Sequence, residues 1–171
     1  MIDAKSPAED AGMTEGYSSP PCLLHELDPS YLGYLVGDEV LALLNELLEA
    51  ERAGAKVVGR LGETATDRTI ATTLRAVAKD EARFCAMLRR HVARLGGTPS
   101  RKTGLFHDKV MALDGIGPRI ALLNRGQGWV ARKLREALPR IHDEALRHDL
   151  QEMLAVHERN IQHCNELPIR E

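Results

Sequence analysis

At 171 residues, 43% hydrophobic and 28% charged, the chain is long enough to bury one core without staples and too apolar for a disordered or fibrous protein. An aromatic content of 4% disfavours a β-sandwich, whose strands are usually thick with Tyr, Phe and Trp. The formal net charge of -2, with signs intermixed, offers no sustained positive field for a phosphate backbone, so nucleic acid is not expected as a partner.

Residues 1–36 read as a flexible N-terminal arm: Ser, Pro, Gly, Ala and acidic residues without periodicity, then a short apolar piece from Cys22 to Pro29. Cys22 and His25 have a Cys-x-x-His spacing, but no second pair accompanies them, and a docked arm is the better reading. The arm lacks the basic and apolar regions of a signal peptide, and no stretch approaches the ~20 apolar residues that span a bilayer. A cytoplasmic protein with no membrane contact is expected. Three widely spaced cysteines, Cys22, Cys85 and Cys164, make no disulfide framework and point to a reducing compartment.

From Gly37 a helical period takes over, with Leu44, Leu47, Leu48, Ala55 and Val58 on one stripe that ends near Gly59 to Gly62. A short loop with Thr64, Thr66 and Asp67 as cap residues leads to a second stripe, Leu74, Val77, Phe84, Leu88, Val92 and Leu95, which stops at Gly96-Gly97. The short loop makes the two helices antiparallel. Gly-rich chain with Pro99 and Pro118 follows, broken by an apolar island from Leu105 to Leu113 that suits one short helix within a crossover as long as the bundle. Ile120, Leu123, Val130, Leu134, Leu138 and Ile141 define a third helix disturbed near its end by Pro139, and Leu146, Leu150, Met153, Ile161 and Cys164 a fourth. Two short-looped hairpins joined by a long crossover predict an all-α, up-down-down-up four-helix bundle over residues 37–167.

A concealed repeat supports this layout. One fixed offset carries Leu44 onto Ile120, Leu47 onto Leu123, Val58 onto Leu134, Leu74 onto Leu150 and Val77 onto Met153. Each stripe is interrupted once by a polar residue: Glu51, Glu81, Gln127 and His157. The same offset carries Glu51 onto Gln127 and Glu81 onto His157, so the four interruptions are expected at one level of the core.

Two buried carboxylates without a cation must share a proton, pair with a cation or bind a metal. Two carboxylates and an imidazole suit iron first, with manganese or zinc as alternatives, and open positions would allow chemistry on a small molecule. The competing reading is a metal-free polar layer in which the carboxylates bond Gln127 and His157 and set helix register.

Leu44-Asn45-Glu46-Leu47-Leu48-Glu49-Ala50-Glu51, Asp80-Glu81 and the following helix, and Met153-Leu154-Ala155-Val156-His157 resemble the corresponding helices of the ferritin-like superfamily of bacterioferritins and rubrerythrins, over about residues 38–167. The resemblance implies metal-ligand roles for Glu51 and Glu81. It also implies a Glu-x-x-His motif in helices two and four, where this chain has Glu81-Ala82-Arg83-Phe84 and His157-Glu158-Arg159-Asn160, and a helix-three glutamate where it has Gln127. Two functions follow: a metalloprotein of redox or oxygen-related chemistry holding its ion on Glu51, Glu81 and His157 with Gln127 beside them, or a metal-free accessory protein that binds a partner through its surface and arm. The likeness also implies pairing into a homodimer.

Among the remaining residues, Cys85 and Cys164 read as small core residues, and Trp129 as packing at an interface. His91, His142, His148 and His163 read as solvated or capping at helix edges and ends. Gly126 and Gly128, on either side of Gln127, each cost about 1 kcal/mol in a helix, which predicts close packing or ligand access there.

Overall fold

The computed structural model describes residues 28–169, and among them all regular structure is helical. Four long helices carry the fold: α1 (Asp38–Thr64), α2 (Arg68–Arg94), α4 (Ile116–Ala137) and α5 (Glu144–Asn165), with the short α3 (Phe106–Met111) in the crossover. Of the arm expected over residues 1–36, residues 1–27, with Cys22 and His25, lie outside the described residues.

Local signals set the helix ends. Asp67 caps α2, its Oδ1 accepting from the backbone N–H groups of Thr69 and Ile70 at 2.7 and 3.0 Å, and Asp143 caps α5 through the Leu146 N–H at 2.9 Å. Past the end of α2, Gly96 takes the left-handed conformation, φ +77°, that stops the helix cleanly. Pro139 turns the end of α4 into a short 3-10 turn, Leu138–Arg140.

α1 packs on α2 and α4 on α5, and the two hairpins meet as α1 against α4 and α2 against α5. α2 ends beside the start of α1, where an added Cβ on Gly97 would lie 2.5 Å from Leu41. α4 begins at the opposite end, its first residues beside Thr64, Thr66 and Asp67. The crossover therefore runs the length of the bundle and the helices go up, down, down, up.

Four positions of the expected stripes fall short of the core: Ala55, Leu95 and the half-buried Leu138 and Ile161. Ala55 is half-buried at the edge of α1, and the core position there belongs to Gly54. Leu95 caps α2 and is 38% exposed, because the helix has already turned outward at Arg94. Ahead of α1, residues from Pro29 to Leu32 form a 3-10 turn, and the chain then docks on the α4–α5 connection: the Leu35 N–H donates to the Arg140 carbonyl at 2.8 Å, and Tyr34 meets the His142 ring edge-on at 5.0 Å.

The apolar core is divided in two. One cluster, around Leu44, Leu48, Leu88, Leu134 and Leu150, fills the end where α1 begins. The other, around Val58, Leu61, Leu74, Ile120 and Leu123, fills the end where α1 stops. The gap between them is where the polar interruptions fall.

Candidate metal centre

Glu51 of α1, Glu81 of α2, Gln127 of α4 and His157 of α5 occupy that gap, at 1, 2, 4 and 1% exposure. Each sits mid-helix on the inward face, so the apolar residues before and after it hold its backbone in place. One oxygen from each of Glu51 and Glu81 and one ring nitrogen of His157 lie within 4.8 Å of one another.

The hydrogen bonds orient this group. His157 Nδ1 lies 3.0 Å from the Met153 carbonyl one turn back, which assigns Nδ1 as the N–H donor and turns Nε2 toward the centre of the bundle. Nε2 lies 3.1 Å from Glu51 Oε1. The Gln127 amide donates through Nε2 to Glu81 Oε1. Glu51 Oε2 and Gln127 Oε1 are left buried with no partner.

No lysine or arginine enters the layer, and its electrostatics follow from that. Burial pushes the Glu51 carboxyl up to about 8. Burial, then the neighbouring Glu51 carboxylate, pushes Glu81 well above the ordinary carboxylate range. Burial lowers His157, keeping the ring neutral with a lone pair on Nε2. Without a cation the two acids hold protons against a neutral imidazole. A divalent ion would replace those protons, give Glu51 Oε2 a partner and use the Nε2 lone pair, so the donor set fits a metal.

The departures from the Glu-x-x-His pattern have direct structural consequences. The Phe84 ring lies tilted beside that of His157, centroids 5.7 Å apart, and the Arg83 guanidinium sits 4.5 Å from the Phe84 ring centre. The Asn160 amide turns away from the centre and donates to Asp80 Oδ2 at 3.2 Å. Neither position supplies a nitrogen ligand.

Gly54 and the Asp80–Asn160 pair are the parts that sequence reasoning missed. A Cβ on Gly54 would lie 2.8 Å from both oxygens of Glu81, so the absence of a side chain there makes the room for that carboxylate. Its signal was legible: an interior helix glycine one turn beyond Glu51 on the same face. Gly126 allows the Phe106 ring to sit against α4, where a Cβ would be 2.8 Å from its tip, whereas Gly128 meets only the end of Arg132.

A cleft of about 520 Å³ leads to this layer between α1 and α4, roofed by the crossover from Thr103 to Phe106. Trp129 lines it, partly packed on the core, with the Lys133 ammonium 5.4 Å from its ring centre.

His91 is not solvated as expected. It is buried between α2 and α5, with Nε2 2.7 Å from Asp149 Oδ2 and Nδ1 3.1 Å from the Arg94 guanidinium, because α5 covers that edge of α2. His142, His148 and His163 are exposed. Cys164 is buried and Cys85 half-buried, and burial pushes their thiols up to about 11 and about 12, so both stay protonated.

The fold is that of a ferritin-like four-helix bundle. A solved structure from Bacillus anthracis str. Ames, described as ferritin like, diiron-carboxylate proteins, is similar with a TM-score of 0.56 over 75% of this chain and 88% of that one, at 15% identity. Residues 38–166 match the family described as Domain of unknown function (DUF6306), and the chain belongs to that family. No curated protein matches it. Among the described residues no helix is long and apolar enough to cross a membrane.

Proposed function

We propose that the protein holds one transition-metal ion, iron before manganese or zinc, on Glu51, Glu81 and His157. The observation that carries this reading is the convergence of two buried carboxyls and an imidazole nitrogen within 4.8 Å, with no protein cation among them. The similar Bacillus anthracis protein, described as diiron-carboxylate, supports the metal class. The loss of both Glu-x-x-His histidines supports a single ion.

In this reading Glu51 and Glu81 supply the negative charge, and the Met153 carbonyl holds His157 in the tautomer that offers Nε2. Gln127 orients Glu81 through its amide and faces the open side of the site. A bound redox metal would supply electron transfer or activation of a small oxygen-containing molecule. The two apolar clusters, one of which includes Phe84, exclude bulk water from above and below the layer.

Elemental analysis of the full chain purified without chelator tests the proposal. About one ion per chain is expected, falling to background in Glu51→Ala and His157→Ala. A metal content well below one, unchanged by either substitution, would refute it. That outcome would favour a metal-free accessory protein, a reading supported by the bonds that already join Gln127 to Glu81 and His157 to Glu51.

A further inference from the structure

The cleft between α1, α4 and the crossover has a chemistry of its own. Its volume of about 520 Å³ is in the range that encloses a small organic molecule. Ala50 and Ala53 of α1, Leu122 and Leu123 of α4, and Leu105 and Phe106 of the roof give it apolar walls, and Glu46, Glu49, Arg125 and Arg132 also line it. The roof is tied down rather than loose: Asn45 Oδ1 accepts from the Ser100 N–H at 2.7 Å, and Lys56 donates to Thr103 Oγ1 at 3.4 Å.

The inner end differs sharply from the walls. Glu51, Glu81 and Gln127 line it, and Glu51 Oε2 and Gln127 Oε1 are buried acceptors with no donor. A buried acceptor without a donor is costly, so a guest that brings an O–H or N–H is favoured over one of the same shape that does not. A carboxylate brings only lone pairs to these two acceptors, so an anionic guest is disfavoured.

We propose that this cleft binds an uncharged, mainly apolar organic molecule carrying one hydroxyl or N–H donor at its leading end, with the donor directed to the free oxygens of Glu51 and Gln127. This goes beyond the metal reading and shares Glu51 with it: in the metal-free protein the donor meets Glu51 and Gln127, and an ion that takes Glu51 leaves Gln127 Oε1 as the acceptor.

Trp129, the single tryptophan of the chain, lines the cleft and reports its occupancy. The full chain, metal-free and again after addition of zinc or ferrous iron, is titrated with 1-heptanol, with 1-methoxyhexane as a donor-free match, and with heptanoate. Tryptophan emission and calorimetry are both read. Saturable binding of heptanol is expected, with the ether and the carboxylate about tenfold weaker or more. Gln127→Leu should bring alcohol and ether to within about threefold of each other. Leu105→Ala, at an exposed roof position that spares the core, should weaken alcohol and ether alike, and Ala50→Phe should fill the cleft and remove binding of both.

Heptanol that does not saturate the protein in either metal state overturns the proposal. So does ether binding as tightly as alcohol, or binding unchanged in both Leu105→Ala and Ala50→Phe. A protein that takes up no metal yet prefers the alcohol upholds this site and ends the metal reading, and the converse result does the opposite.

Discussion

The sharpest test of the buried layer is the pH dependence of the metal-free protein. Glu51 and Glu81 both have folded pKa values above the ordinary 4.5, so as pH rises the unfolded chain releases these protons first. The folded state then binds more protons than the unfolded one, and stability falls with rising pH. His157 works the other way: its folded pKa lies below 6.5, so its contribution is lost as pH falls through and below that value and is constant above it. The clean window therefore runs from pH 6.5 upward to about 7.5, still below the Glu51 value of about 8. Glu51, protonated in the fold up to about 8, costs about 1.4 kcal/mol per pH unit there, and Glu81, raised as well, acts in the same direction. For a chain of 171 residues the Glu51 part alone is a fall in Tm of roughly 3–6 °C. Thermal unfolding followed by circular dichroism after exhaustive chelation measures it, with Glu51→Gln as the comparison. The substitution should remove at least half of the slope. A wild-type Tm that is flat over this unit, or a Glu51→Gln slope equal to the wild type's, would refute the assignment of buried protonated acids.

Adding back metal at about 100 times its Kd should raise stability by about 2.7 kcal/mol at pH 7.5, and chelator should reverse the gain; a hydrogen-bonded layer without metal would show neither response. Gly54→Ala should cut metal affinity about tenfold by displacing the Glu81 carboxyl, while the gain of about 1 kcal/mol in helix propensity offsets much of the clash, so metal titration and thermal melts should disagree. Asp149→Ala leaves the buried His91 without its carboxylate and should cost about 1–3 kcal/mol in denaturant unfolding, with metal content unchanged because the pair lies outside the polar layer. Asp67→Ala removes the α2 cap and should cost about 1 kcal/mol by the same measurement.

Which helices form, how they pair and which four polar residues make the mid-core layer are all one-dimensional properties. Helical period, the Asp67 and Gly96 boundaries, one short loop against one long crossover, and the repeat that carries Glu51 onto Gln127 each leave a pattern along the chain, because a stripe must be apolar to be buried and an interruption stands out against it. What lies across a helix from a given residue leaves no such pattern. Gly54 matters only because Glu81 comes from another helix to fill its space, and His91 is buried only because α5 brings Asp149 over it. The cleft exists because the crossover seats Phe106 against Gly126. Those contacts depend on the distance and rotation between helices, quantities that packing sets and that no single stripe encodes.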